Sequence, residues 1–240
     1  MSITISKAIT DNYKECYRPD KYRTEWRSLG AIDKCANIRN LCAHVSHENV
    51  VEIGCGDGAL IERLSSVRFS SRYTGLEISS TALERARQKH LAGVNFELFD
   101  GYATRFADQQ FDLAILSHVV EHVEHPRQLL YEALRVARTV FVEVPLEDTL
   151  RLPRDFVFNS IGHINFYNVA TIRSLVQSCG ARILVARLSH SSKSTYEYRL
   201  GRIKGALAHG LKEAGIRHMS AIVPRFLTYH YALTCQRSED

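Results

Sequence analysis

The stretch Val50-Val51-Glu52-Ile53-Gly54-Cys55-Gly56-Asp57-Gly58-Ala59-Leu60 decides how the rest of the chain is read. A short apolar run with β character enters a turn holding three glycines, and an apolar helical segment over 59–64 leaves it. Glycine takes positive φ at no steric cost and lets backbone approach a ligand with no Cβ in the way. Backbone N–H groups at the start of the following helix offer donors to an anion. Gly54-x-Gly56-x-x-Ala59 also satisfies the dinucleotide-binding fingerprint in its Gly/Ala form, and an acid, Glu77, follows about 20 residues on.

Outward from this turn, β-like runs at 50–53, 73–77, 94–99, 112–116 and 139–144 alternate with amphipathic segments at 59–64, 81–90 and 126–137. The second helix opens on Thr81-x-x-Glu84, a capping-box pattern. The third has Pro126 at its start and Leu129, Leu130, Ala133, Leu134 and Ala137 along one face. Upstream, Ile32, Cys35, Ile38, Leu41 and Cys42 recur at helical spacing and predict a helix over 31–44, after an aromatic arm of Tyr13, Tyr17, Tyr22 and Trp26. Downstream, a helix over 169–178 closed by Gly180, a strand over 182–188 and a last strand over 226–235 are expected. The alternation predicts an α/β fold, a Rossmann-like, doubly wound, mostly parallel sheet with helices on both faces. Two long connections, 145–168 and 190–224, the second partly helical, break the rhythm, as functional lids or disordered segments do.

Composition excludes several classes. With 240 residues, 45% of them hydrophobic and 24% charged, the chain is ordinary for a globular protein. No apolar stretch reaches the roughly 18–20 residues of a membrane span, and Met1–Lys7 has no apolar signal core. Six cysteines lie scattered without a Cys-x-x-Cys pair, which argues against a disulfide framework or a cysteine zinc site and fits a reducing cytoplasm. The net charge of +5 sits in the C-terminal part, where residues 182–240 hold ten Lys/Arg against four Asp/Glu. These basic residues are spaced as on a solvated helix face, not clustered as in a nucleic-acid patch.

The acids after the second and third strands sharpen the ligand. Glu77 ends one strand, where a carboxylate accepts both hydroxyls of a ribose, and Asp100 ends the next, where it accepts from an adenine amino group. Open α/β sheets bind ligands outside the carboxyl ends of their strands, so Gly54–Gly58, Glu77 and Asp100 are expected to share a crevice.

With these residues in view, the chain resembles the class I S-adenosylmethionine-dependent methyltransferases of the small-molecule (type 11-like) kind. The resemblance covers about residues 30–190 and rests on 50–58, Tyr-Thr-Gly-Leu-Glu-Ile-Ser at 73–79, Phe-Asp-Gly-Tyr-Ala at 99–103 and Phe-Asp-Leu-Ala-Ile-Leu-Ser-His-Val-Val-Glu-His-Val at 111–123. It implies a seven-stranded sheet with the last strand antiparallel, and S-adenosyl-L-methionine as cofactor. It further implies that Gly54, Cys55, Gly56 and Gly58 line the methionine moiety and that Glu52 lies near its amino-acid end. Glu77 takes the ribose, Ile78 packs on the adenine, Asp100 takes the adenine amino group with Gly101 and Tyr102 offering backbone, and Ser117 and His118 lie close to the methyl. The family often has Asp where this chain has Glu77, which keeps the carboxylate. One domain over 1–240 is expected: an N-terminal helical arm (1–48), a cofactor-binding half (49–144), and inserts at 145–168 and 190–224 that form the acceptor pocket.

A competing motif is present, since His118-Val119-Val120-Glu121-His122 spells H-x-x-E-H, an inverted zinc-hydrolase pattern. That pattern needs both histidines on one helix face, whereas His118 directly follows a strand, so no metal is assigned to His118, His122 and His125. Methyl transfer needs a base only when the acceptor arrives protonated, and histidine suits that task near neutral pH. His118, at the cofactor edge, and His163, in the long insert, are the candidates. Trp26 and the arm tyrosines offer aromatic faces to a cationic sulfonium, with Arg23, Arg27 or Lys34 for its carboxylate. The expected partner is a small-molecule acceptor, O- or N-methylated and, from Arg151, Arg154 and the basic C-terminal part, anionic. Neither nucleic acid nor membrane is expected as a partner. The rivals are an NAD(P)-dependent oxidoreductase, a nucleic-acid modifier and a non-catalytic relative.

Overall fold

Runs of Val, Ile, Leu and aromatic residues too short to cover themselves are buried on both faces only within a sheet sandwiched by helices. The computed structural model, which describes residues 23–152 and 162–238, has that layering. The strands are β1 (Asn49–Ile53), β2 (Arg72–Glu77), β3 (Val94–Leu98), β4 (Phe111–Ser117), β5 (Ala137–Leu146), β6 (Ala181–Ser189) and β7 (Tyr229–Arg237). They form one seven-stranded sheet in the order β3-β2-β1-β4-β5-β7-β6. Strands β1 to β5 pair in parallel, and β7 runs antiparallel between β5 and β6, so the seven-stranded sheet with a reversed last strand is as expected.

The helices are α1 (Thr24–Leu41), α2 (Ala59–Ser66), α3 (Ser80–Arg87), α4 (Pro126–Val136), α5 (Val169–Gln177), α6 (Lys193–Leu200) and α7 (Arg202–Met219). Successive strand residues point to opposite faces, and the core divides accordingly. Val51, Ala114 and Val142 pack with Leu130 and Ala133 of α4 and Ile172 and Val176 of α5. Val50, Leu113 and Phe141 pack on the other face with Ile38 of α1, Ile61 and Leu64 of α2 and Leu83 of α3. The chain passes from β1 outward to β3, then crosses back to β4, so the strand order reverses between β1 and β4. That reversal opens a crevice at the strands' carboxyl ends.

Three expectations need correction. Helix α1 starts earlier than 31 and buries Ala31, Cys35, Ile38 and Leu41, which leaves Ile32 exposed. The cap of α3 is Ser79, whose Oγ accepts from Ala82 N at 3.3 Å, and not Thr81, which lies within the helix. The chain turns earlier there because Glu77 Oε1 accepts the N–H groups of Ile78 and Ser79, each at 2.9 Å. The last strand starts at Tyr229 because a 3-10 turn at Val223–Arg225, containing Pro224, precedes it. The excursion 190–224 is mainly helical: α6 and α7 cross closely at Gly205, where a Cβ would come 2.5 Å from Glu197 N. Tyr13, Tyr17, Tyr22 and Arg154 lie outside the described residues. Among the described residues no helix is long and apolar enough to cross a membrane.

Candidate active-site crevice

The crevice at the β1/β4 reversal has a volume of about 1080 Å³ and is walled by the β1–α2 turn, the ends of β2, β4 and β5, the segment after β5, and residues of α1, α6 and α7. That exceeds what a single drug-sized ligand needs, and leaves room for a cofactor and a second small molecule.

On the cofactor side, the β1–α2 turn is pinned to β2. Gly54 N and Cys55 N both donate to Leu76 O, at 2.7 and 3.0 Å. Gly54 sits at φ 78°, and a Cβ there would lie 2.7 Å from Val119 Cγ2, so neither the conformation nor the space admits another residue without strain. Gly54, Cys55 and Gly56 line the crevice with Asp57 and Ala59, but Gly58 does not. It precedes α2 and faces Phe96.

Glu77 lines the crevice and knits the turn together: Oε2 accepts from Gly56 N at 2.8 Å, while Oε1 takes the two N–H groups that follow it. Burial pushes its pKa up against the pull of these donors. Ile78 and Gly101 line the crevice, but Asp100 and Tyr102 are not among its lining residues. Asp100 is exposed and its Oδ1 accepts from Tyr102 N and Ala103 N, both at 2.8 Å. Tyr102 has thus already used its N–H, and its ring is core. A short turn acid satisfying its own backbone is a common local solution, and no pattern in the sequence distinguishes it from an outward-reaching one.

Glu52 is the most telling group. Its Oε2 is buried without a hydrogen-bond partner, on the crevice wall. Burial lifts its pKa to about 8, Lys34 pulling it down and Asp57 and Glu77 adding to the rise. A buried acceptor without a donor costs of order 1–3 kcal/mol, and a cation arriving in the crevice removes that cost. A ligand with a sulfonium and an α-amino group fits this acid, and the Cβ-free turn fits a ligand lying against backbone.

At the end of β4, Ser117 Oγ donates to Glu143 Oε2 at 2.7 Å, and Asn37 Nδ2 of α1 donates to Glu143 Oε1 at 2.5 Å. Lys34 Nζ, also on α1, donates to Ser117 O at 3.3 Å. His118 takes positive φ, 59°, which aims its ring at His230 of β7, 4.9 Å away between centroids. Burial, then Lys34 and two neighbouring histidines, hold His118 well below the usual histidine range. It is neutral, and a poor proton acceptor.

His163 lies across the crevice, buried, with Nδ1 2.6 Å from Glu147 Oε2. Burial lowers its pKa, but the hydrogen bond to Glu147 and the charges of Glu121 and Glu147 more than offset this and raise it overall. His122 stacks edge-on at 4.6 Å between ring centroids. The segment 118–125 contains no helix, so its three histidines share no helix face. His118 comes within ligand reach of Glu143 and His230, and His122 of Glu121 and His163, while His125 packs on Tyr102. The H-x-x-E-H spelling is therefore a turn, not a zinc-binding helix face. Glu143, Glu147 and His230 went unnoticed in the sequence, because their neighbours there carry no motif; Glu121 stood inside that spelling.

Trp26, Arg27 and Lys34 of the arm and Arg151 reach the crevice, whereas Arg23 does not line it. Residues 51–139 match the family described as "Methyltransferase domain". Over these residues the chain is similar to the class I S-adenosylmethionine-dependent methyltransferases. Among its relatives, the biotin biosynthesis bifunctional protein BioHC of Teredinibacter turnerae is 27% identical over 185 residues, 69% of this chain and 32% of that protein. The fatty-acid O-methyltransferase of Mycolicibacterium smegmatis is 34% identical over 99 residues, 40% of this chain and 35% of that one. The chain thus spans about a third of the length of these curated relatives. In fold it is similar to a Haemonchus contortus phosphoethanolamine N-methyltransferase 2 solved with phosphomonomethylethanolamine and S-adenosylhomocysteine. That likeness has a TM-score of 0.66 at 13% identity, over 96% of this chain and 60% of the other.

Proposed function

We propose that this chain binds S-adenosyl-L-methionine and transfers its methyl group to an oxygen or nitrogen of an anionic small molecule, with His163 as general base. The observation that carries this reading is that Glu52, unpartnered behind the glycine turn, and the His163–Glu147 pair wall the same crevice. The cofactor supplies an already activated methyl, so the protein has mainly to align the acceptor, exclude water and take up a proton. With Nδ1–H donated to Glu147, the nitrogen of His163 that accepts a proton is Nε2, and the two acids keep it basic. His118, held neutral by burial, shapes the wall beside the methyl and does not serve as the base.

Arg151, Arg199 and Lys212 bring positive charge to the acceptor end. Burial, with Arg199 adding to the effect, lowers Lys212 to about 8, and its ammonium lies 4.8 Å from the Tyr229 ring centroid. A carboxylate or phosphate suits this end, as the acidic groups of a fatty acid and of phosphomonomethylethanolamine would for the two relatives named above. The antiparallel β7 departs from the all-parallel order 3-2-1-4-5-6 of dinucleotide-binding sheets, which disfavours the oxidoreductase reading. The five described cysteines are buried and free, which fits a cytoplasmic setting. Calorimetry with S-adenosylmethionine and NADH, followed by a labelled-methyl screen of carboxylates and phosphorylated amines, tests the reading. Binding of the methyl donor alone and label in an anionic product are expected; NADH binding without donor binding would overturn it.

A further inference from the structure

Outside the crevice, a second cluster stands where β6 gives way to the α6–α7 hairpin. His190 follows Ser189, the last residue of β6, and its side chain is 4% exposed. His209 and Glu213 are four residues apart on α7 and so share a helix face. One ligand atom from each of the three lies within 4.8 Å of the others.

The hydrogen-bonding of His190 exposes a conflict. Its Nδ1 faces the backbone oxygen of Ser191 at 2.9 Å, and its Nε2 faces Glu213 Oε2 at 3.1 Å. Both oxygens only accept. A neutral imidazole has one N–H, so either tautomer leaves a nitrogen lone pair pointing at an oxygen lone pair. A second proton on the ring would resolve this. A cation at Nε2 resolves it as well. With Nδ1–H donated to a backbone carbonyl, His190 has the outer hydrogen bond that metal-ligating histidines make. The 3.1 Å separation of Nε2 and Oε2 is close to the ~3.3 Å edge of a tetrahedron with ligands at about 2.0–2.1 Å.

We propose that His190, His209 and Glu213 form a divalent-cation site of the zinc type that pins α7 to the end of β6. Two imidazoles and one carboxylate are the ligand chemistry of zinc, not of the oxygen-seeking Ca²⁺ or Mg²⁺. Glu213 is 66% exposed, which gives the ion an entry path and leaves the fourth position to water. The pin has a purpose in this fold: of the residues in α7 only Gly205 is buried, so the helix gains little from packing. Yet the hairpin brings Tyr196, Arg199 and Lys212 to the crevice. Metal occupancy therefore sets how firmly the acceptor wall is held.

Titrating the untagged full chain with Co²⁺, followed by its visible absorption, tests the site. One Co²⁺ per chain, displaced by Zn²⁺, is expected, with His209→Ala and Glu213→Gln each weakening binding at least about tenfold. Both positions lie on a helix that packs little, and far-UV circular dichroism checks that each variant folds. His163→Ala and His118→Ala, which alter the two histidine clusters of the crevice, are each expected to leave the titration unchanged. The absence of saturable Co²⁺ binding, or full binding retained in His209→Ala, would overturn the proposal.

Discussion

The two halves of this molecule are built on different principles. The half from β1 to β4 secures its crevice wall by backbone: Gly54, Cys55 and Gly56 are tied to the end of β2 and to Glu77, and the strands behind them are buried on both faces. The half contributed by 145–152, 162–168 and 190–224 holds its groups by side chains reaching across sequence, His163 to Glu147 and Lys212 to Thr228 O, and exposes Ile203, Leu207 and Leu211 along α7. A ligand shared by many reactions calls for a fixed cradle, and an acceptor peculiar to one reaction calls for a wall that changes without unfolding the sheet.

The sharpest break between the halves is expected in His163→Ala. Methyl transfer should fall about 10²–10⁴-fold, while cofactor affinity measured by calorimetry stays as it was; equal activity would remove His163 from the chemistry. Gly54→Ala attacks the other half. Positive φ and the contact with Val119 should cost about 1–3 kcal/mol in denaturant unfolding and impair cofactor binding.

Glu52→Gln is expected to split stability from binding. The folded pKa near 8 lies above the ordinary carboxylate value, so the cost of burying the charge grows as pH rises from the unfolded value through about 8. At pH 8 and above the variant without cofactor should be more stable than the parent. Its affinity for the methyl donor should be weaker by about 1–3 kcal/mol, and the proton released on binding near neutral pH should disappear. A variant that loses stability at pH 8 would contradict the orphaned-acid account.

Glu147→Gln should lower the titration of His163, read by histidine NMR, because the hydrogen bond and the charge that raise it are lost. The sign for the parent follows from its raised folded pKa: the pair stabilises the fold fully below the unfolded histidine value and loses that contribution as pH rises through the folded one. An unmoved titration would separate Glu147 from the base. The smallest effect belongs to Leu207→Ser on the exposed face of α7, within about 0.5 kcal/mol of the parent.

Where sequence reasoning succeeded and failed follows the same division. β1, β2, β4 and β5 were legible within a few residues because buried parallel strands must be short apolar runs, and the glycine turn because few residues tolerate its backbone. Asp100, Gly58 and Tyr102 were placed in the crevice by analogy of position; their side chains or N–H groups instead serve local turns and core. Glu147 could not be found in advance, since its meaning comes from a hydrogen bond to a residue 16 positions on in a connection without periodicity. The basic tail reads as partly helical with a solvated face, but its two helices have no legible bounds, because α7 carries no buried apolar stripe.

What the amino-acid order alone determined is the layered sheet, the turn that cradles a ligand and the identity of the polar groups near it, since strand burial and glycine geometry are local properties. Tertiary structure alone decided which charges meet. Glu52 is stranded, His118 is neutralised, and His163 is paired with Glu147 because the parallel crossover and the reversed β7 bring distant strand ends into one low-dielectric crevice. Basicity and orphaned hydrogen-bonding capacity arise only once water has been excluded.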